Sequence, residues 1–548
     1  MYKCITRSHF SRPGSRSDPD IRRYLDRAGR TARTSYLSSA LSVAPVPLSR
    51  VLYAEKGVVA SEQPLSSLAG LEILRKGGNA VDAAVATSFA LAVTLQSANG
   101  LGGDFFAMVY VAKTGRVHCL NSSGWAPSGL TIDLLKSKGI EEIPLYGPYS
   151  VTVPGAVAGL CAMHRKLGLM EFKNLPSAAI GYARNGFPAS PGLCRSITAS
   201  LASFTQGAKK VFSPSGDAPV PGEIIKQQDL ARVIGEVARD GAEAFYKGKP
   251  AEEISRVLSE QGAVTKKGDF SGFKPEWVEP VLLDYRGTTV YEFPPNSMGA
   301  TCLLMLKYLL QKDVGKTKPL SWERVNLTMK AAELAYRRRD EMLGDPRFCG
   351  VDMAEFMRID SEETASNAVD VKPGDTTAFS VMDREGNIVS AIQSLFHHFG
   401  SRVFVDSCGI MLNNRGSGFS MAGPNALEPR KRPLHTLSTM LLAREGLPTI
   451  AIGCSGGDFR PMQHALFVTN IVDYSMTLEQ AIDHPRFLRS GRGSMLVEGG
   501  YGDLGGLPYE IQRLSHPGGT GVCQGTQKLA RSKKAVCDVR GDGLPAGL

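Results

Sequence analysis

The sequence lacks closely spaced cysteines, although it contains ten of them. No two form a CxxC pair, which argues against a zinc ribbon and against a dense disulfide scaffold. Scattered single cysteines are more typical of a protein from a reducing compartment than of a secreted one.

Long apolar segments are also missing. The most apolar stretch, residues 80–93, contains Asp82, Thr87 and Ser88 and is shorter than the roughly 20 residues that cross a bilayer. It predicts a buried helix, so we expect no membrane span. The N-terminus has no apolar core of the kind that a secretory signal requires.

The middle of the chain has no net charge. The 548 residues carry 63 Lys+Arg and 53 Asp+Glu, an excess of +10. Residues 1–50 account for +7 of this excess and residues 528–548 for +3, which leaves the 477 residues between them neutral. A nucleic-acid-binding fold would carry a basic stripe, so we expect no nucleic acid as a partner.

Residues 1–50 are rich in Ser and Arg and show no sustained hydrophobic period. They predict a disordered or targeting extension, separate from the fold. Their three acidic residues weigh against an organelle transit peptide, and that alternative stays open. The composition therefore favours the cytoplasm, with organelle targeting by this extension as the alternative.

Hydrophobic patterning divides the remaining chain into a helical and a strand-rich part. Residues 150–345 are predicted to be mainly helical, whereas hairpins are predicted after residue 374, with strands at 377–382 and 388–393 and again at 437–442 and 449–452. At 43% hydrophobic and 21% charged residues, the chain can bury a large core. We expect an α+β protein.

The segment from Gly453 to Gly457 reads G-C-S-G-G and fits the G-x-S-x-G pattern of a nucleophile elbow between a strand and a helix. One interpretation is a serine hydrolase that uses Ser455 together with a later histidine such as His516. The second is a glycine turn whose N–H groups bind an anion. We favour the glycine turn, because little chain remains for the missing members of a triad.

Neither of two further motifs indicates a cofactor. His397-His398 has no Asp or Glu at helical spacing, which disfavours a metal site. Residues 100–104 read G-L-G-G-D and precede a strand rather than a helix, so they do not form a dinucleotide site. We therefore expect neither a metal nor a cofactor.

Asp375-Thr376 joins a polar turn to a predicted strand that begins with Thr. If the Asp375–Thr376 bond were cut, Thr376 would carry both a hydroxyl nucleophile and a free α-amine as its base. An α-amine titrates near pH ~7.7–8.0, so it can accept a proton at working pH.

Several spaced segments, from about Val51 to about Gly543, carry a resemblance to a known family. They are Gly77-Gly78-Asn79-Ala80-Val81-Asp82-Ala83-Ala84, Gly102-Gly103, Val153-Pro154-Gly155, Gly374-Asp375-Thr376-Thr377, Phe399-Gly400-Ser401, Gly409-Ile410-Met411-Leu412-Asn413-Asn414, Lys431-Arg432-Pro433 and Gly456-Gly457. With these segments the chain resembles the gamma-glutamyltransferase (gamma-glutamyltranspeptidase) family of N-terminal nucleophile hydrolases.

The resemblance implies a four-layer αββα sandwich made as a precursor that cuts itself. Cleavage at Asp375-Thr376 would yield a large chain, residues 51–375 preceded by the extension, and a small chain, residues 376–548. The two chains would form a heterodimer, with a dimer of heterodimers as an open alternative. The resemblance further implies Thr376 as nucleophile, Ser394 as its supporting hydroxyl, and Gly456 and Gly457 as the oxyanion hole.

On the substrate side the sequence departs from the family pattern and resembles its acylase-like branch. Ser123 stands where the family has an Arg that clamps the glutamyl α-carboxylate. Arg415 and Gly418 stand where the amine-binding residues are expected, so a carboxylate is lost and a cation is gained. His435-Thr436 replaces a Ser-Ser pair. The remaining expected substrate-binding residues are Asn414 and Asp458.

The resemblance predicts an autoprocessed threonine amidohydrolase and acyltransferase that cleaves γ-glutamyl amides such as glutathione. The acyl group would pass through an acyl-enzyme to water or an acceptor amine. One alternative is a dicarboxylic-acyl amidase, similar to glutaryl acylases or to oxamate amidohydrolase, with Arg415 pairing with the substrate's carboxylate. Two further hypotheses are a serine hydrolase using Ser455 and an unprocessed, inactive binding relative.

Overall fold

Two seven-stranded antiparallel sheets form the centre of the folded chain. The computed structural model describes residues 48–359, residue 371 and residues 374–548. The strands are β1 Arg50–Ala54, β2 Val58–Ser61, β3 Asp104–Val111, β4 Arg116–Ser122, β5 Phe187–Pro188, β6 Ile224–Ile225, β7 Glu276–Val278, β8 Val281–Tyr285, β9 Thr288–Glu292, β10 Asp375–Met382, β11 Ile388–Phe396, β12 Phe404–Val405, β13 Ile410–Met411, β14 Met440–Arg444, β15 Leu447–Cys454, β16 Phe487–Arg489, β17 Ser494–Glu498, β18 Glu510–Leu514, β19 Cys523–Lys528, β20 Lys533–Cys537 and β21 Ala546–Gly547.

The first sheet has the order β8-β9-β14-β15-β19-β20-β1, and the second has the order β7-β4-β3-β11-β10-β2-β21. The α-helices are α1 Pro64–Arg75, α2 Ala80–Thr94, α3 Ile132–Ser137, α4 Ala156–Leu167, α5 Ser177–Asn185, α6 Pro191–Ser200, α7 Gln206–Phe212, α8 Gln228–Asp240, α9 Ala242–Tyr246, α10 Lys249–Glu260, α11 Lys267–Ser271, α12 Gly299–Gln311, α13 Trp322–Met342, α14 Met353–Phe356, α15 Arg460–Val472 and α16 Leu478–Asp483.

The two sheets face each other and carry helices on their outer faces. Strand β3 illustrates the layering, because successive side chains of a strand point to opposite faces. Phe105, Ala107 and Val109 pack with α2 and its neighbouring helices, whereas Phe106 and Met108 pack into the core between the sheets. On the far side, α12, α13 and α15 cover the first sheet. The four-layer αββα arrangement expected from the sequence is confirmed.

Helix α2 lies against the second sheet and is buried along its whole length. Asn79 caps its N-terminus, accepting hydrogen bonds from the backbone N–H groups of Val81 and Asp82, while the Asp82 carboxylate accepts from the Asn79 N–H. This reciprocal capping box satisfies N–H groups that would otherwise lack partners. The predicted buried helix over residues 80–93 therefore forms, ending one residue later than expected.

The structure refines two boundaries predicted from the sequence. The region predicted to be mainly helical also contains the hairpin β8–β9, whose turn residues Arg286 and Gly287 have φ of 53° and 77°. Strand β1 starts at Arg50, so residues 48–50 are part of the fold and not of the predicted extension, whose residues 1–47 lie outside the described part of the chain. Among the described residues, no helix has the length and apolar character needed to cross a membrane.

Candidate active site

Thr376 lies in an irregularity between β10 and β11, near the middle of the second sheet. Asp375 pairs with Phe396 and Thr377 pairs with Gln393, so Ser394 and Leu395 of β11 lie opposite the single residue Thr376. Such a bulge re-aims side chains and is frequent beside functional sites. Phe396 closes it with a φ of 87°, a conformation that non-glycine residues rarely adopt and that is concentrated at functional sites.

The bulge brings the Thr376 hydroxyl against the peptide bond that precedes it. The Thr376 Oγ1 lies 2.5 Å from the Asp375 carbonyl oxygen and 3.1 Å from the Ser394 Oγ. The Ser394 hydroxyl donates to the same Asp375 carbonyl at 2.8 Å. Both hydroxyl residues are fully buried. A nucleophile and a hydrogen-bond donor therefore converge on one carbonyl group, as an acyl transfer requires.

The glycine turn after β15 lies beside this peptide. Gly456 and Gly457 have φ of 129° and 60°, which glycine adopts at no steric cost. The Gly374 backbone approaches them so closely that a Cβ on Gly374 would lie 3.1 Å from the Gly457 Cα. The turn therefore flanks the Asp375–Thr376 segment, where the family resemblance implies an oxyanion hole.

Ser455 borders a cavity beside Asp375 and is hydrogen-bonded to the backbone of Val522. Its Oγ accepts a hydrogen bond from the Val522 N–H at 2.8 Å, and the Ser455 N–H donates to the Val522 carbonyl. His516, the histidine named in the serine-hydrolase interpretation, lies against Glu498 with its Nδ1 3.0 Å from the carboxylate. Among the described residues no hydrogen bond joins Ser455 to His516, which favours the glycine-turn interpretation.

Arg415 is fully buried and belongs to a cluster with Asp104 and His435. Its Nε lies 3.3 Å from Asp104 Oδ2, and its two terminal nitrogens donate to Thr436 Oγ1 at 2.9 Å and to Ser394 Oγ at 3.2 Å. Burial lowers the pKa of Arg415 to about 10, although Asp104 favours its charge. In the uncut chain Arg415 thus binds protein groups, and its pairing with a substrate carboxylate stays a prediction.

His435 completes this cluster as a neutral imidazole. Burial, together with the nearby Arg415 charge, lowers the pKa of His435 to about 3. Its Nε2 contacts Asp104 Oδ2 at 3.0 Å and its Nδ1 accepts from the Leu437 N–H at 3.1 Å, which requires the proton to be on Nε2. Burial would raise the pKa of Asp104, but the His435 hydrogen bond and the Arg415 charge outweigh it and lower that pKa.

The remaining residues expected to bind substrate are spread around this cluster. Ser123 is buried, and its hydroxyl donates to Asn121 Oδ1 at 2.8 Å. Asn414 Oδ1 accepts from the His397 N–H at 3.1 Å, and its Nδ2 lies 3.1 Å from His397 Nδ1. Asp458 follows the glycine turn, 3.6 Å from Arg339. Asn414 contacts His397, which lines a cavity beside the Asp375–Thr376 bond.

A cavity of about 610 Å³ opens beside the Asp375–Thr376 bond. Its walls include Asp375, Gly456, His397, His398 and the exposed Arg195 of α6. The Asp375 carboxylate spans the space between the peptide and the cavity wall, because its Oδ1 accepts from the Thr376 N–H at 2.9 Å and its Oδ2 lies 2.6 Å from His398 Nδ1. The Asp375 charge raises the pKa of His398.

Glu62 also lines this cavity. Burial raises the pKa of Glu62 well above its usual range, and the neighbouring Asp375 carboxylate raises it further. Both effects make the Glu62 carboxyl easier to protonate than a free one while Asp375 occupies the cavity.

The chain matches the family model described as gamma-glutamyltranspeptidase over residues 66–548. The chain belongs to the gamma-glutamyltranspeptidase family. It is 38% identical over 447 residues to a protein of Bacillus subtilis (strain 168) named "Glutathione hydrolase-like YwrD proenzyme", an alignment that covers 79% of this chain and 85% of that protein. It is 31% identical over 483 residues to the "Glutathione hydrolase proenzyme" of the same strain, covering 81% of this chain and 82% of the relative.

Among solved structures, a cephalosporin acylase from Bacillus halodurans superposes with a TM-score of 0.84 at 32% identity, covering 92% of this chain and 98% of that chain. Gamma-glutamyltranspeptidase family proteins are N-terminal nucleophile hydrolases and acyltransferases, made as precursors that process themselves into two chains and acting on small molecules. This chain is an enzyme of that family. The family resemblance and the fold inferred from the sequence are thus confirmed.

Sequence reasoning missed two residues, Asp104 and His398, that the structure places at this candidate site. In the sequence Asp104 follows Gly102-Gly103 and was considered only as part of a dinucleotide motif. A carboxylate at the start of a continuously apolar strand could have indicated it, because such a strand is buried and a buried charge needs a partner. His398 suggests only a metal ligand. No local pattern could indicate its contact with Asp375, because their side chains meet across the bulge.

Proposed function

We propose that the protein cuts itself between Asp375 and Thr376 and then acts as a threonine amidohydrolase and acyltransferase on small amides. The observation that carries the proposal is the Thr376 hydroxyl, 2.5 Å from the Asp375 carbonyl oxygen, with Ser394 donating to that same oxygen. The mature protein would be a heterodimer of a large chain ending at Asp375 and a small chain of residues 376–548. A cytoplasmic location stays a prediction from composition.

Self-cleavage would begin with attack of the Thr376 Oγ on the Asp375 carbonyl carbon. The carbon–oxygen bond forms, the carbon–nitrogen bond breaks, and the hydroxyl proton ends on the Thr376 nitrogen. Ser394 would stabilise the negative charge that develops on the carbonyl oxygen. Water then hydrolyses the ester, which leaves a carboxyl group on Asp375 and a free α-amine and hydroxyl on Thr376.

In turnover, the free α-amine of Thr376 would accept the proton of the hydroxyl as the latter attacks the substrate amide. The N–H groups of Gly456 and Gly457 would hold the oxyanion of the tetrahedral intermediate. The leaving amine takes the proton, and water or an acceptor amine then releases the acyl group from Thr376. No metal or cofactor is required for these steps.

The first substrate class to test is γ-glutamyl amides, with glutathione as the leading example. Support comes from the family itself and from the names of the two Bacillus subtilis relatives. In this view Asn414, His435, Thr436 and Asp458 would border the acyl group, and Arg415 would hold Thr436 and Ser394 in place.

A dicarboxylic-acyl amide is the second candidate, and the residue at position 123 favours it. Ser123 occupies the place of the Arg that would grip a glutamyl α-carboxylate, and its hydroxyl is already used by Asn121. The similarity to a cephalosporin acylase adds support for an acyl group other than γ-glutamyl.

Denaturing gels of the wild type, Thr376→Ala and Ser455→Ala test the nucleophile. We expect two bands for the wild type and for Ser455→Ala, and one band for Thr376→Ala. Anilides of the γ-glutamyl and glutaryl groups then test the substrate class. A wild-type protein that remains one 58.8 kDa chain would support the hypothesis of an unprocessed, inactive relative.

A further inference from the structure

The carboxylate of Asp375 has a defined position relative to the Thr376 hydroxyl. One of its oxygens accepts from the Thr376 N–H at 2.9 Å and the other lies 2.6 Å from His398 Nδ1. His398 follows β11, and half of its side chain is exposed, at 52%. The contact therefore joins the residue before the proposed cleavage point to a side chain that also borders the cavity.

The proposed self-cleavage makes Asp375 the first acyl group that Thr376 carries. The ester between the Asp375 carbonyl and the Thr376 Oγ has the same connectivity as the acyl-enzyme formed from a substrate. Counted from its carbonyl carbon, the Asp375 residue continues through two carbons to a carboxylate, which is the skeleton of a succinyl group. The uncut chain thus presents a four-carbon dicarboxylic acyl group to the nucleophile.

After cleavage and departure of Asp375, His398 would lose this carboxylate. Asp375 raises the pKa of His398 and Arg402 lowers it, so another carboxylate at the same place would restore the charged imidazolium. A protonated histidine is an effective partner for a carboxylate and a poor one for an ammonium group. The site vacated by Asp375 is therefore suited to an acid.

Besides Asp375 and His398, the titratable and charged residues that line the cavity are His397, Arg195, Arg540, Glu62 and Asp542. Arg540 is bound by Glu498 and Asp538, whereas the exposed Arg195 makes no ion pair with another described residue. Of the acids, Asp542 accepts a hydrogen bond from the Gly192 N–H at 2.6 Å, and burial raises the pKa of Glu62.

We propose that His398 binds the distal carboxylate of a short dicarboxylic acyl group, of succinyl or glutaryl length, in the mature enzyme. This inference rests on the proposed function of Thr376 and names the acyl group that it accepts. In the proposed site the substrate carboxylate pairs with His398, which lines the cavity, and not with Arg415, which is buried against Asp104.

The test compares succinyl-p-nitroanilide with butyryl-p-nitroanilide, which has the same chain length and no carboxylate. Rates are normalised to the amount of cleaved protein on a denaturing gel. For the wild type we expect KM for the succinyl substrate to rise at least ten-fold as the pH is raised through the pKa of His398, with KM for the butyryl substrate constant within two-fold. His398→Gln should raise KM for the succinyl substrate at least ten-fold at low pH and leave the butyryl substrate within two-fold.

His398→Lys keeps a positive charge and should retain the preference for the succinyl substrate to higher pH than the wild type. Arg195→Gln tests the rival cation of the cavity. A succinyl preference that survives in His398→Gln, or one that is abolished by Arg195→Gln instead, overturns the inference. If His398→Gln does not fold, the wild type decides: a succinyl preference that does not depend on pH overturns the inference.

The two proposals fail in different ways. A wild-type protein that stays uncut, or that is cut and hydrolyses neither anilide, overturns the proposed function and this inference with it. A cleaved protein that is active on the butyryl or γ-glutamyl substrate but shows no preference for succinyl or glutaryl overturns the inference alone.

Discussion

Replacement of Asp104 by Asn removes the negative charge from the buried cluster beneath Ser394. In the wild type Asp104 Oδ2 accepts from His435 Nε2 and faces Arg415 Nε, while Oδ1 accepts from the Gly124 N–H at 2.7 Å. An Asn side chain has one accepting oxygen and one donating NH₂ group. In either orientation the NH₂ group meets at least one N–H donor, and Arg415 is left as an uncompensated buried charge.

The expected cost follows from this loss of partners. Breaking a buried ion pair by removing one member typically costs about 3–5 kcal/mol, because the remaining charge stays desolvated. All three side chains of the cluster are fully buried, so we expect Asp104→Asn to lower the free energy of unfolding by about 4 kcal/mol. A switch of the His435 tautomer does not relieve the cost, since Nδ1 would then oppose the Leu437 N–H that it now accepts.

The assay is the denaturant midpoint of Asp104→Asn in the Thr376→Ala background, where the chain is expected to remain uncut. The matched control is Glu236→Gln, which removes one member of the partly exposed helical pair Arg232–Glu236, 2.9 Å apart. Exposed i,i+4 pairs contribute about 0.3–0.5 kcal/mol. Each shift is measured from the midpoint of Thr376→Ala. If Asp104→Asn shifts the denaturant midpoint no more than Glu236→Gln does, the buried-pair reasoning is refuted.

Three further predictions concern chemistry and pH. Ser394→Ala removes the donor to the Asp375 carbonyl and should slow self-cleavage by roughly 10²-fold, followed as the disappearance of the uncut band. Gly456→Ala must adopt a φ of 129° with its Cβ 3.0 Å from Gln463 Nε2, so kcat should fall by roughly 10²-fold in an anilide assay. The lowered pKa of Asp104 adds stability that is complete above the unfolded-state pKa of about 3.9 and is lost as the pH falls through its folded pKa, so the cost of Asp104→Asn should shrink in acid denaturation curves.

Controls for the two catalytic predictions come from the same chain. Ser394→Thr keeps the hydroxyl and should self-cleave much faster than Ser394→Ala. Gly235→Ala lies in α8, where a Cβ meets no atom within 4 Å, and should leave kcat unchanged. Equal cleavage rates for Ser394→Ala and the wild type would remove Ser394 from the mechanism, and an unimpaired Gly456→Ala would argue against the proposed oxyanion hole.

Sequence reasoning predicted the parts of the fold that depend on local patterns. The helix over residues 80–93 was predictable because Asn79 and Asp82 form a capping box around an apolar run, and the β10–β11 hairpin because residues 383–387 form a polar turn between apolar strands. The first sheet was harder to foresee. Strand β8 fully buries only one of its five side chains, and hairpin β8–β9 lies within a region that is mainly helical.

The candidate site, too, was predictable only in part from the sequence. Thr376, Ser394 and the glycine turn were predictable because the family motifs mark them, and the structure brings them together around one peptide bond. The environment of Arg415 was not predictable, because its partners Asp104 and His435 are 311 and 20 residues away along the chain and are joined only by the pairing of β3 with β11 and by the turn before β14. A change of charge at one position therefore gave no information on the position of its counter-charge.

The most direct test of the central claim is the N-terminal residue of the small chain. The freshly purified wild-type protein is separated on a denaturing gel, and the smaller band is sequenced from its N-terminus. We predict a sequence that begins Thr-Thr-Ala-Phe, from Thr376 onwards, and a single uncut band in Thr376→Ala. A small chain that begins at any other residue, or a Thr376→Ala protein that is cut as fast as the wild type, would contradict the account.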